Sequence, residues 1–81
     1  MNYLLVTFSG RRDALRFYER MLELGYNALV MNTPRVLAMS CGVSVRVSPS
    51  ASFAVRNVLA REDYPTYVAT YYFCNGRYSR A

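Results

Sequence analysis

Four short apolar runs alternate with two stretches of helical periodicity, and this order constrains the fold more than any other feature of the chain. The runs are rich in β-favouring residues, and the longer stretches repeat apolar residues every three or four positions. The first helix is predicted to bury the face that holds Ala14, Leu15, Tyr18, Met21 and Leu22. Strands are predicted at 3–8, 26–31, 43–47 and 66–73, and helices at 10–24 and 48–61.

The resulting order, β-α-β-β-α-β, is typical of α+β domains with a ferredoxin-like fold. We expect a four-stranded antiparallel sheet with two helices on one face. Right-handed crossovers predict strands one and three as a parallel pair in the centre, with strand four beside one and strand two beside three. The 81 residues suffice for one small domain, 1–81, ordered over about 3–73 and ending in a polar, frayed tail over 75–81.

Histidine is absent from the chain, and its absence excludes several kinds of chemistry. Ser-His-Asp and Cys-His catalysis need an imidazole, and so does every metal site with a histidine ligand. The two cysteines are too few for a disulfide scaffold or a four-ligand zinc site. Paired carboxylates at a useful spacing and a glycine-rich phosphate loop are also missing. We therefore expect no metal and no organic cofactor, and a stand-alone enzyme is the least favoured class.

The cellular location follows from the same composition. No run approaches the roughly 18 apolar residues of a transmembrane helix. The N-terminal residues do not show the pattern of a signal peptide. We expect a cytoplasmic protein that does not enter a membrane and that keeps both thiols reduced.

The charge of the chain is strongly basic. Ten arginines against five acids give a formal net charge of +5, and there is no lysine. Such a balance favours anionic partners. Four arginines recur at helical spacing, and we interpret them as a solvated face of the first helix rather than a nucleic-acid patch: Arg11, Arg12, Arg16 and Arg20.

The connection between strands two and three carries the most unusual residues. Cys41 is predicted at the mouth of a hairpin, where it would be exposed, and Gly42 would let another molecule approach the backbone. Arg35 lies six residues earlier in the same connection and would favour the thiolate form of the cysteine. A single cysteine next to glycine is more often a packing residue, so this pattern alone does not decide between packing and reactivity.

The residues around this cysteine resemble a known family. An opening strand ends in Thr7-Phe8, a helix follows, and three further motifs come after it: Pro34-Arg35, Ser40-Cys41-Gly42 and Val45-Arg46. This series, over roughly residues 3 to 73, resembles a family of small bacterial domains labelled selenium/sulfur (Se/S) carrier-like. The resemblance implies that Cys41 holds sulfur or selenium as a persulfide or selenopersulfide. It also implies partner proteins that donate and accept the atom, with no cofactor in the chain itself.

Cys74 is the second thiol, and the predicted topology places it at the same end of the sheet as Cys41. One intervening strand would hold the two backbones about 10 Å apart, beyond the roughly 7 Å between Cα atoms that a disulfide tolerates. We therefore expect no bridge in the resting protein. A mobile tail would let Cys74 act as a resolving thiol that releases the carried sulfur.

The rival interpretation is a non-catalytic binding or dimerisation module. The sheet face opposite the helices is predicted to carry Tyr3, Leu5, Ser44 and Arg46, and such a face often marks an interface. A homodimer is therefore an open alternative, as is a protein or RNA partner. A nucleic-acid partner is disfavoured, because strand three holds Ser44 and Arg46 where an RNA-recognition domain places its aromatic pair.

Overall fold

The computed structural model describes residues 1–37 and 42–81. In chain order the elements are β1 (Tyr3–Phe8), α1 (Arg11–Glu23), β2 (Ala28–Asn32), β3 (Val43–Val47), a 3₁₀ turn (Pro49–Ala51), α2 (Ser52–Arg61), β4 (Tyr67–Cys74) and β5 (Arg77–Arg80). The predicted α+β class is confirmed, with two helices and an antiparallel sheet. Within the described ranges, no helix is long and apolar enough to cross a membrane.

The strands form a single sheet in the order β2-β3-β1-β4-β5. The prediction that strands one and three run parallel is wrong, because β1 and β3 pair antiparallel, from Leu4 opposite Val47 to Phe8 opposite Val43. The reason lies in the connections. β3 is antiparallel to both of its neighbours, β2 and β1. β1 and β2 therefore run in the same direction, and β3 lies between them and runs in the opposite direction.

The fifth strand corrects the predicted frayed tail. Asn75 and Gly76 both have positive φ, 53° and 75°, which is the backbone of a two-residue hairpin turn. β5 then pairs with β4, from Cys74 opposite Arg77 to Tyr71 opposite Arg80. The Asn-Gly signal was present in the sequence. The tail is polar because β5 is a sheet edge, not because it is unpaired.

The end of α1 follows the expected pattern. Gly25 has φ +91°, its amide donates to the carbonyl of Leu22, and the amide of Tyr26 donates to the carbonyl of Met21. This pair of hydrogen bonds is a Schellman motif, which satisfies carbonyls that the last helical turn leaves free. The helix therefore stops where glycine permits a left-handed residue, close to the predicted end at residue 24.

The core lies between the two helices and one face of the sheet. Its fully buried residues include Val6, Phe17, Met21 and Val45. The predicted buried face of α1 was partly wrong, because Leu15 and Leu22 are 37% and 43% exposed. α1 instead turns Ala14, Phe17 and Met21 inward. The cluster joins both helices to the same sheet face: Leu4, Val6, Phe8, Ala14, Phe17, Met21, Val45, Val47, Ala51, Val55, Val58 and Tyr64.

Candidate functional site

Gly42 immediately precedes β3, and its backbone lies close to Thr33 and Phe8. Its carbonyl accepts a hydrogen bond of 3.0 Å from the amide of Thr33. A Cβ atom at position 42 would lie 2.9 Å from the Thr33 hydroxyl and 3.2 Å from the carbonyl oxygen of Phe8. Glycine is therefore required here by packing. Cys41, which is bonded to Gly42, lies outside the described residues, as do 38–40.

Arg35 lies in the turn that follows β2. The turn is closed by a hydrogen bond of 3.0 Å from the amide of Leu37 to the carbonyl of Pro34. Arg35 and Val36 are both exposed, and Val36 keeps 79% of its surface. Within 1–37 and 42–81, Arg35 makes no salt bridge. Its charge is therefore available to an approaching molecule.

The same end of the sheet is braced by Asp13 and Thr66. One oxygen of the Asp13 carboxylate accepts from the Thr66 amide at 2.8 Å and from the Thr66 hydroxyl at 2.7 Å. These two bonds, with a weaker contribution from Arg16, lower the pKa of Asp13 despite its burial. The amide of Ser9 also donates to the carbonyl of Thr66. No pattern in the sequence indicated this bracing role of Asp13.

A second polar network joins α1 to the end of α2. The Arg20 guanidinium donates to a Glu62 carboxylate oxygen at 2.6 Å, and the Tyr64 hydroxyl donates to the other oxygen at 2.8 Å. Arg16 lies over the Tyr64 ring, 4.7 Å from its centroid. Arg16 and Arg20 keep 46% and 40% of their side-chain surface exposed, as a solvated face requires, and they also tie α1 to the residues between α2 and β4.

Cys74 lies at the end of the sheet opposite Gly42, whereas the predicted topology put the start of strand three and the end of strand four at the same end. Val43 pairs with Phe8, whereas Phe73 pairs with Tyr3. The strand from Tyr3 to Phe8 spans about 17 Å, and Gly42 and Cys74 each lie one residue beyond its ends. β3 and β4 start at the same end of the sheet, so Gly42 and Cys74 are separated by about the length of β1. The expected absence of a Cys41–Cys74 bridge involves Cys41, which lies outside the described residues, and it stays a prediction.

The sheet face opposite the helices holds an aromatic cluster, which we define as Tyr3, Phe73 and Tyr78. The rings of Tyr3 and Phe73 stack with centroids 4.7 Å apart, and the hydroxyls of Tyr3 and Tyr78 are 2.7 Å apart. Burial and this hydrogen bond raise the pKa of Tyr78 to about 12. Leu5 and Ser44 lie on the same face, as predicted, but both are fully buried in a single chain. The centre of this face is therefore closed without a second copy, and dimerisation stays a prediction.

The described residues offer no group of three or more candidate metal ligands. Neither the search of curated proteins nor the search of solved structures returns a match. Among protein-family models, the one described as "Putative Se/S carrier protein-like" matches residues 3–69. That range includes Arg35, Cys41 and Gly42 and stops before Cys74. The match covers most of the 81 residues, and the chain therefore belongs to the Se/S carrier-like family.

Proposed function

We propose that this protein carries a sulfur or selenium atom on Cys41 between a donor protein and an acceptor protein. The observation that carries the proposal is the family match, whose range contains Cys41 and excludes the other cysteine. A carrier requires a single thiol and two partners, and it needs neither a general base nor a cofactor. The absence of histidine from the chain is compatible with this role.

The transfer step is an exchange at sulfur. The Cys41 thiolate attacks the terminal sulfur of a donor persulfide, R–S–SH, because the thiolate is the nucleophilic form. The S–S bond of the donor breaks and R–S⁻ leaves with its electron pair, so Cys41 then holds Cys–S–SH. An acceptor thiolate attacks that terminal sulfur in turn and regenerates the Cys41 thiolate. Nothing is oxidised or reduced overall, and a selenium atom follows the same route.

The surroundings of Gly42 support a reactive rather than a buried thiol. Arg35 is exposed in the same connection, and Arg11 and Arg12 are exposed at the start of α1, which follows β1 at this end of the sheet. Positive charge and helix N-termini both favour a thiolate. The exposed side chain of Val36 adds an apolar contact for a partner protein beside these charges. We propose that donor and acceptor dock on this end.

Cys74 has no resolving role in this proposal. It is half-buried, and it lies at the opposite end of the sheet from Gly42. Release of the carried atom therefore depends on an acceptor thiol from another molecule. We propose a cytoplasmic location for the same reason, since a reducing compartment supplies such thiols and keeps Cys41 reduced.

Intact-mass spectrometry after incubation with a small persulfide donor, such as glutathione persulfide, tests the proposal. We expect wild type and Cys74→Ser to gain the mass of one sulfur atom, and a reductant to remove it. Cys41→Ser is the matched control and is expected to gain nothing. A mass gain in Cys41→Ser that disappears in Cys74→Ser would assign the chemistry to the other thiol and overturn the proposal.

A further inference from the structure

Acidic and basic residues are distributed differently between the helices and the sheet of this chain. All five acids lie on α1 or immediately after α2, whereas the charged residues of the five strands are all arginines. The acids are Asp13, Glu19, Glu23, Glu62 and Asp63, and the strand arginines are Arg46, Arg77 and Arg80. The sheet therefore presents positive charge without a compensating carboxylate. This charge favours an anionic partner for the sheet face opposite the helices.

Two of these arginines lie over aromatic rings on the face opposite the helices. The Arg46 guanidinium is 4.3 Å from the centroid of the Tyr3 ring, and that of Arg80 is 5.9 Å from the centroid of Tyr71. A cation–π contact orients a guanidinium without neutralising it. Among the described residues, neither arginine makes a salt bridge. Both are thus held in place with their charge unpaired.

We propose that this face binds single-stranded nucleic acid. Arginine binds phosphate, and nucleobases stack on tyrosine rings and on guanidinium planes. The Arg46 guanidinium rests on the aromatic cluster, and its outer plane offers a surface on which a base can stack. Tyr71, beside Arg80, offers a second such surface. The proposal does not depend on the chemistry of Cys41, because Arg46 and Arg80 lie on strands of the described fold.

The spacing of the two arginines sets the length of the ligand. Arg46 is on β3 and Arg80 is on β5, with β1 and β4 between them. Three strand spacings are about 14 Å. A mononucleotide cannot reach both sites, so several linked nucleotides are needed for full affinity. The aromatic residues that the sequence lacks on β3 are supplied by β1, β4 and β5.

The other anionic or self-complementary occupants fit less well. A second copy placed face to face would bring arginines against arginines with no acid between them. An acidic protein would satisfy the charges, but it would make no specific use of the rings beside them. Nucleic acid uses both features, because each nucleotide has one phosphate and one planar base.

Fluorescence anisotropy with a labelled single-stranded oligonucleotide of about 10 nucleotides tests the proposal. RNA and DNA versions are compared with a duplex of the same length and with uridine monophosphate. We expect binding to the single strands, weaker binding to the duplex and none to the mononucleotide. The slope of log K against log salt is expected to be about −1.4 for two phosphate contacts.

Variants of matched charge separate this face from general basicity. Arg46→Gln and Arg80→Gln are expected to weaken binding, whereas Arg56→Gln, which removes an exposed arginine from α2, is expected to have no effect. Arg46→Lys keeps the charge and loses the planar group, so it should retain the salt slope and lose affinity. Tyr71→Leu is expected to weaken binding about tenfold through lost stacking. Circular dichroism verifies folding, and Arg80 on the edge strand is the variant least able to disturb it.

Three results would overturn the proposal. The first is an equal loss of oligonucleotide affinity in Arg56→Gln and in Arg80→Gln, which would mean non-specific attraction between the basic protein and the phosphates. The second is equal affinity for duplex and single strand, which would exclude a role for exposed bases. The third is displacement by polyglutamate at the same concentration as by the oligonucleotide, which would favour an acidic protein partner.

Discussion

Replacing Gly42 with alanine tests the packing at the candidate site. The new methyl group would lie 2.9 Å from the Thr33 hydroxyl and 3.2 Å from the carbonyl oxygen of Phe8. The Thr33 side chain cannot simply rotate away, because its hydroxyl is 2.6 Å from that of Ser44, which is fully buried. Either the crowding remains or Ser44 loses its partner, and each outcome costs about 1–3 kcal/mol. For a domain of this size, each kcal/mol lowers Tm by about 4–8 °C.

The assay is thermal unfolding of a double-mutant cycle with Thr33→Ala. Thr33→Ala removes the hydroxyl that the new methyl group would contact, so Gly42→Ala should lower the stability less in that background than in wild type. We expect the two substitutions to be non-additive by about 1 kcal/mol. Strictly additive costs, or an unchanged Tm in Gly42→Ala alone, would refute the claim that Gly42 is required by the contact with Thr33.

Three further perturbations test other parts of the fold. Gly76→Ala places a side chain at φ +75° and should destabilise the protein by about 1–2 kcal/mol. NMR should show that the substitution speeds amide exchange, relative to wild type, more in β5 than in β1. Burial would raise the pKa of Glu62, but hydrogen bonds, led by that from Arg20, outweigh it and hold the pKa below 4.5. The stabilisation from the ionised Glu62 carboxylate is present above its unfolded pKa and is lost as pH falls through its folded pKa. Arg20→Gln should therefore lower Tm at neutral pH, with a difference from wild type that vanishes in acid. Burial and then the Tyr3 hydroxyl raise the pKa of Tyr78 from 10.0 to about 12, so this stabilisation is complete below the unfolded pKa and is lost as pH rises through 12. Tyr3→Phe should shift the phenolate absorbance of Tyr78 to lower pH.

Local patterns predicted most of the elements, because they reflect local physics. The strand predicted at 43–47 has the same bounds as β3, and the helix predicted at 10–24 differs from α1 by one residue at each end. β5 was missed although Asn75-Gly76 is a strong hairpin signal, because its residues are polar and alternate little. Phe17 was missed because several apolar residues of α1 compete for the buried face, and only tertiary packing decides among them.

Long-range placement was harder to predict. Treating β1 and β3 as parallel placed the start of β3 beside the end of β4, and the expected neighbourhood of Cys41 and Cys74 followed from that mistake. The observed antiparallel register separates Gly42 from Cys74 by the length of the sheet. The Asp13–Thr66 contact joins positions 53 residues apart, and no local spacing in the sequence indicates such a pair. Cys41 and Arg35 as functional residues stay predictions.

The central claim is that Cys41 both accepts an atom and gives it up, and a discharge experiment tests it most directly. Cys74→Ser is loaded with a persulfide donor, freed of excess donor and mixed with glutathione as the acceptor thiol. The account predicts that the protein loses the mass of one sulfur atom and returns to the reduced thiol while the acceptor gains a persulfide. A loaded protein that keeps its sulfur, or that loses it as fast without an acceptor as with one, would contradict the account.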